Sequence, residues 1–238
     1  MGELPICPRI PFSRSFNCEW QIQPLSPMND KQELRIWLLV FLATVILVIV
    51  CMVYADRPSA EFFEHHVRHT AIWVWVRWAL APLDIFVLAA LLFLLGCGAW
   101  VLSGRSLRPW MRGPLLGSWA AMFALAADII FKHIFGRAWV DPTYIQNHLY
   151  GFHLLHGGPH WEAFPSGTAA ISSAMVSSTW NVIPRLRVTG VLIVALLCVG
   201  VVINNFHWVS DVIAGAFLGS LIGRLTARVL DSFTVGTR

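Results

Sequence analysis

Charge is what this chain has least of. Lysine, arginine, aspartate and glutamate make up only 13% of its residues, against roughly 25% in an ordinary soluble domain. With 57% hydrophobic residues and a mean hydropathy of +0.65, the deficit excludes a water-soluble globular domain and points to an integral membrane protein. Basic residues exceed acidic ones by 17 to 13, a net charge of +4. That surplus reads as membrane topology and contact with anionic lipid, not as a nucleic-acid surface. Paired cysteines are also missing: Cys7, Cys18, Cys51, Cys97 and Cys198 are scattered, three of them inside apolar runs, so neither a disulfide framework nor a zinc-ligand spacing is present. There is no internal repeat. No cleavable leader precedes the first apolar run, which is expected to remain as a span.

What is there is a series of apolar runs. Residues 1–35 form a polar arm carrying Pro5, Pro8, Pro11, Pro24 and Pro27. Residues 36–54 are nineteen positions without a charge, close to the roughly 20 that cross a bilayer. Residues 56–81 differ in kind. Glu61, Glu64, His65, His66, Arg68 and His69 lead into the tryptophan-rich Ile72-Trp73-Val74-Trp75-Val76-Arg77-Trp78, a mixture that predicts a helix lying in the interface. His65, His66 and His69 lack carboxylate or soft partners at ligand spacing, so they read as interfacial, not as a metal site.

Further spans are predicted at 82–102, 115–135, 166–182, 188–206 and 211–230. The fourth of the six is short and rich in small residues, among them Ser172, Ser173, Ala174, Ser177 and Ser178, which predicts a closely packed interior helix. The expected fold is therefore an all-α integral membrane protein. It comprises a six-helix bundle over 36–230, an interfacial helix between the first two spans, the proline-rich arm 1–35 and a tail 231–238. Six spans put both termini on one side. Arg57, Arg68, Arg77, Lys132 and Arg137 fall on the opposite side and the other twelve basic residues on the terminus side. The positive-inside tendency then makes the termini cytoplasmic and puts the stretches after residue 132 and around residue 207 on the outer face.

Three stretches reach that outer face with chemistry. Asp128 and Lys132 lie near the end of the third span, four residues apart, and can neutralise each other. Arg137 follows and would leave positive charge in excess, an invitation to an anion, because ionisable groups at membrane depth are expensive and by default functional. Pro165-Ser166-Gly167 opens the fourth helix, where unpaired backbone N–H groups make a phosphate seat; Ser166 serves equally as a plain helix cap. His207-Trp208-Val209-Ser210-Asp211 puts an imidazole and a carboxylate at a spacing that shares one helix face, an arrangement suited to a nucleophilic histidine. The same pair also suits a helix start with an interfacial histidine and a capping aspartate.

Taken in this order, the three stretches resemble the type 2 phosphatidic acid phosphatase family, whose fold is shared with vanadium haloperoxidases and bacterial acid phosphatases. That family carries Lys-x6-Arg-Pro, Pro-Ser-Gly-His and Ser-Arg-x5-His-x3-Asp on the outer ends of a six-helix bundle. The resemblance covers about residues 115–225. It implies that His207 is the nucleophile, that Asp211 orients it, and that Lys132, Ser166 and the Gly167 amide cradle the phosphate. The phrases FGRAW, YGFHLLHGG and FPSG are similar to a bacterial branch, which implies a bacterial inner membrane with the site on the periplasmic side. No metal or other cofactor is needed by such a scheme.

Three positions depart from the pattern. Trp139-Val140 stands where the first motif has Arg-Pro, and Gly200-Val201 where the third has Ser-Arg, which leaves Arg137 as the nearby replacement cation. Thr168 stands where the family has the histidine that protonates the leaving group, and a threonine hydroxyl is a poor acid at neutral pH although it can hydrogen-bond phosphate. An unprotonated alkoxide is hard to expel, since even water has a pKa of about 15.7; phosphate, with a second pKa of about 6, leaves readily. The expected substrate is thus a lipid phosphate or, better, a lipid diphosphate such as a polyprenyl diphosphate, unless His160, His156 or His153 replaces the acid. Transfer of the phosphoryl group to a second lipid shares the first half-reaction. A non-catalytic lipid-phosphate binding or transport protein of the same fold is the alternative from another class.

Overall fold

The computed structural model describes residues 30–235 apart from 156 and 181. Most of the proline-rich arm, 1–29, lies outside the described residues, as does His156. The described residues form nine α-helices and no strand: α1 (Asp30–Tyr54), α2 (Asp56–His66), α3 (Ala71–Leu80), α4 (Leu83–Leu102), α5 (Arg112–Phe135), the single turn α6 (Ile145–Asn147), α7 (Gly167–Thr179), α8 (Arg187–Ile203) and α9 (Val209–Val235). The tail expected from residue 231 begins as a continuation of α9.

Five stretches are long and apolar enough to cross a membrane: Lys31–Tyr54, Ala71–Leu102, Pro109–Phe135, Pro184–Ile203 and Val209–Leu230. The fourth expected span is the exception. α7 has 13 residues, about 20 Å at 1.5 Å per residue, against a hydrocarbon core of roughly 30 Å. Nor is the expected interfacial helix one element. His69 takes a left-handed φ of 70° and breaks it. The polar α2 lies before the break, and after it the apolar α3 joins α4 in one 32-residue stretch.

α7 is short, but it is the centre of the bundle. Gly215, Gly219 and Gly223 of α9 face Ser166, Ala170 and Ala174 of α7, each series advancing by four, and a Cβ on any of the three glycines would overlap the carbonyl oxygen opposite. Such approach is open only to residues with no side chain, and it maximises packing between helices that have no hydrophobic driving force in lipid. On the other side Ala120 and Ala124 of α5 close on Ala174, with none of the three exposed. Around this centre α1, α4 and α8 present exposed leucine, isoleucine and valine side chains, the surface an integral membrane protein offers to lipid. At the end near the termini, Glu33 of α1 is 5% exposed and pairs with Arg224, at 3.3 Å, and with Arg228 of α9.

The opposite end is capped by the 136–166 loop. α5 stops at Gly136, whose left-handed conformation (φ 52°, ψ 58°) lets its N–H return to the Lys132 carbonyl. The next residues run extended between two other loop segments. Ala138 donates to the Gly151 carbonyl at 3.1 Å, Ala163 donates to that of Arg137 at 3.1 Å, and Trp139 donates to that of His160 at 3.2 Å.

Candidate active site

α8 ends at Ile203, and α9 does not begin until Val209. His207 therefore precedes the helix on which Asp211 sits, and the two do not share a helix face. The imidazole is 7% exposed. Its Nδ1 lies 2.9 Å from the Ala163 carbonyl oxygen, an acceptor only, so Nδ1 carries the hydrogen and Nε2 is left with its lone pair. The Asp211 Oδ2 is 3.8 Å from Nδ1, beyond a hydrogen bond and close enough for Coulomb attraction to a cationic ring. The loop carbonyl thus orients His207, the task expected of Asp211. Asp211 instead accepts the Trp208 N–H at 3.0 Å, the carboxylate half of a capping box that starts α9.

The Asp211 carboxylate is held from the other side by Arg137, which is 0% exposed. The same guanidinium pairs with Asp56 at 2.6 Å, donates to Ser210 Oγ at 2.6 Å, and lies 3.3 Å from the Tyr150 hydroxyl. Asp56, also 0% exposed, accepts the Ser210 N–H at 3.0 Å and its Oγ–H at 2.5 Å. Burial alone would weaken the Arg137 charge, but Asp211 and Asp56 outweigh it and the net direction of its pKa is up. The sequence expects Arg137 to supply the missing cradle cation; in the structure its two terminal nitrogens are taken up by two buried carboxylates and Ser210, and its Nε is buried without a hydrogen-bond partner. Asp56, Ser210, Tyr150 and Trp208 were not candidates from the sequence. The one signal for Asp56 is its place two residues after an uncharged run.

Lys132 is more open. Its Nζ pairs with Asp128 Oδ2 at 2.9 Å, with its side chain 19% exposed, so the spacing of four does yield the neutralised pair. Nζ also lies 5.8 Å from the Trp139 ring centroid, and Trp139 lies 5.1 Å from the His207 ring. The tryptophan in the family's arginine position is thus the common neighbour of lysine and histidine. Asp128 reaches the start of α7, where a Cβ on Gly167 would meet its Oδ2 at 2.8 Å. Ser166 is buried and caps α7, its Oγ accepting the Ala169 N–H at 3.4 Å; its own N–H donates to the Asp211 carbonyl at 3.0 Å. The start of α7 and the first turn of α9 are therefore tied backbone to backbone.

Lys132, Gly167 and His207 are brought into one cluster with Trp139 and Asp128. Thr168 is half-buried on the first turn of α7, its carbonyl accepting the Ser172 hydroxyl at 2.7 Å. His160 and His153 are exposed; among the described residues the His160 ring makes no hydrogen bond to the cluster, and the His153 ring packs on Trp161 at 4.8 Å.

A family model described as the PAP2 superfamily matches residues 115–234, half of the chain, from near the start of α5 to the end of α9. No curated protein and no solved structure matches the chain.

Proposed function

The chain belongs to the PAP2 superfamily, and from that premise we propose that it is a membrane phosphatase that removes phosphate from a lipid phosphate or diphosphate through His207. The observation that carries the reading is the Nδ1–H of His207 held by the Ala163 carbonyl, which fixes the tautomer and leaves Nε2 as a nucleophile. Nε2 attacks phosphorus, the leaving group departs, and water then releases phosphate from the phosphohistidine. Asp211, 3.8 Å from Nδ1, stabilises the positive charge that the ring carries in the intermediate. Lys132 and the amide N–H groups at the start of α7 hold the phosphoryl oxygens; in phosphoryl transfer, positioning and electrostatic stabilisation of this kind supply most of the rate. The five apolar spans support a substrate that resides in the membrane, hence a lipid. The distribution of basic residues supports an outer, periplasmic placement.

One observation favours a second reading. Lys132, the remaining cation of the cradle, already has a carboxylate partner, as a protein that binds lipid phosphates without turning them over could afford. The purified protein is assayed for phosphate release from lipid monophosphates and polyprenyl diphosphates, alongside His207→Ala. Release by the wild type, reduced on the order of a thousandfold or more in the variant, together with an acid-labile phosphoprotein during turnover, supports the phosphatase. Binding of the same lipids with no release, unaltered by His207→Ala, replaces it with the binding protein; appearance of the phosphate on a second lipid replaces hydrolysis with transfer.

A further inference from the structure

Thr168 leaves the departing oxygen without the acid that the resemblance assigns to that position, and His153 and His160 lie exposed in the loop before α7. A different ionisable group lies at the same helix start. Asp128 of α5 is 3% exposed. Its Oδ2 is held by Lys132 at 2.9 Å, whereas its Oδ1 is buried with no hydrogen-bond partner. A Cβ on Gly167, the first residue of α7, would meet Oδ2 at 2.8 Å and Oδ1 at 3.3 Å. A carboxylate with an unsatisfied oxygen thus sits beside the amide groups that attract an oxyanion, and an unpaired polar atom in a dry site is expensive to keep.

The arrival of a phosphoryl group changes the surroundings of Asp128 in two ways. Lys132 turns part of its charge to the phosphoryl oxygens, and a second anion comes into contact with the carboxylate. Two anionic groups sharing a site hold one proton between them. The charged groups that face Asp128 are Lys132 on its own helix, His207 ahead of α9 and Glu162 in the loop before α7; α7 itself carries no ionisable side chain. Arg137 offers no compensation, being sealed between Asp56 and Asp211.

We propose that Asp128 is the proton donor of this site, taking up a proton when a phosphoryl group binds and passing it from Oδ1 to the leaving oxygen. The proposal rests on the phosphatase reading above. In the first step the bond from Nε2 to phosphorus forms as the bond from phosphorus to the ester oxygen breaks. That electron pair stays on the oxygen, which takes the Asp128 proton and leaves as the alcohol, or as phosphate from a diphosphate. In the second step a water oxygen attacks phosphorus, Asp128 accepts the water proton, and the phosphorus–nitrogen electron pair returns to Nε2. One water is consumed and one phosphate released, with Asp128 and His207 restored. Asp128 therefore does what Thr168 cannot, and monoester lipids remain within reach of the enzyme.

Asp128→Asn keeps the shape of the side chain and removes the proton. Wild type and variant are compared on two monoesters, an alkyl phosphate and a nitrophenyl phosphate that carries an alkyl chain of similar length on its ring and whose leaving group needs no proton. The expected loss in kcat is on the order of 10²–10⁴ for the alkyl ester and less than about tenfold for the nitrophenyl ester. Equal losses on the two esters, or none on the first, overturn the assignment. Should the variant not fold, the wild type alone decides: acid assistance makes kcat for the two esters similar, and a steep preference for the nitrophenyl ester rejects it. Calorimetry with inorganic phosphate in buffers of different ionisation enthalpy separates this proposal from its premise. The wild type is expected to take up about one proton more than Asp128→Asn on binding, and equal uptake counts against Asp128. A wild type that hydrolyses neither ester sinks the phosphatase reading, while the proton count still decides for or against Asp128.

Discussion

Two buried ionic clusters sit five residues apart on one stretch of chain, and they are built from the same materials to different ends. Arg137 has both arms of its guanidinium engaged by Asp56 and Asp211, with Ser210 and Tyr150 filling the gaps; all three charged side chains are 0% exposed. Lys132 has one partner, Asp128, and that partner keeps one buried oxygen unsatisfied. The first cluster joins the start of α2, the loop after α5 and the start of α9. The second faces the start of α7. Each cluster keeps one buried polar atom without a hydrogen-bond partner, Nε of Arg137 and Oδ1 of Asp128. What separates them is that the Arg137 charge is sealed between two carboxylates with no exposure, whereas the Lys132 charge is partly exposed, and a partly open charge at membrane depth is the better place for a ligand.

The contrast between the clusters stands or falls most visibly when each is emptied of its cation. Arg137→Ala strands two carboxylates with no exposure, a change that typically destabilises by about 3–5 kcal/mol, or roughly 10 °C in Tm for a chain of this size. Arg137→Lys is expected to rescue little, because a single ammonium cannot bridge both carboxylates as the planar fork does. Lys132→Ala is expected to hold its Tm within a few degrees, since the lysine is partly exposed and its pair is local, while phosphate release falls steeply. Thermal unfolding in detergent beside a phosphate-release assay checks both. Equal loss of stability in the two variants would erase the distinction between them.

A smaller effect comes from two glycines. Gly219→Ala drives a methyl into the Ala170 carbonyl at the crossing of α7 and α9, backbone against backbone, where overpacking costs about 1–3 kcal/mol. Gly167→Ala meets a side chain, the Asp128 carboxylate at 2.8 Å, which can swing aside. The first variant is expected to lose stability. The second should keep most of its stability but lose catalysis of poor leaving groups, because Asp128 is displaced from the helix start. Unfolding temperatures and the ratio of alkyl to nitrophenyl ester turnover distinguish the two outcomes.

How far the sequence can be read follows the same division between local and distant partners. Spacing of four along α5 forecasts the Asp128–Lys132 pair, which forms. The same spacing at His207 and Asp211 misleads: α9 starts two residues too late to put the histidine on its face, and a carbonyl 44 residues upstream takes the imidazole. Small residues at 172–178 identify α7 as interior, although nothing in the run fixes its length at 13 residues, because the break comes from the turn around Val182 and Ile183 and not from a charge. The partner of Arg137 is out of reach of any local rule, since Asp56 lies 81 residues away. Counting Arg137 as spare positive charge therefore overstates the anion-binding strength of this end of the bundle. The glycine stripe at 215, 219 and 223 is visible as a pattern, yet its meaning depends on which helix lies opposite.

The mildest test concerns a bond at the rim, where neither cluster is at stake. Tyr144 donates to Glu61 Oε1 at 2.5 Å, tying the loop after α5 to α2. Burial and that bond push its phenol up from 10.0 to about 12. A raised phenol pKa means that the fold prefers the neutral hydroxyl. The stabilisation is therefore complete below pH 10 and disappears as pH climbs from 10 through about 12. Tyr144→Phe should thus lower Tm at pH 8 by an amount matching at most about 1 kcal/mol, since solvent reaches the bond. The gap between variant and wild type should then close above pH 10. A gap that stays constant from pH 8 to 12 would mean that the ring, packed on Trp208 at 5.2 Å, and not its hydroxyl, holds α2 against the loop.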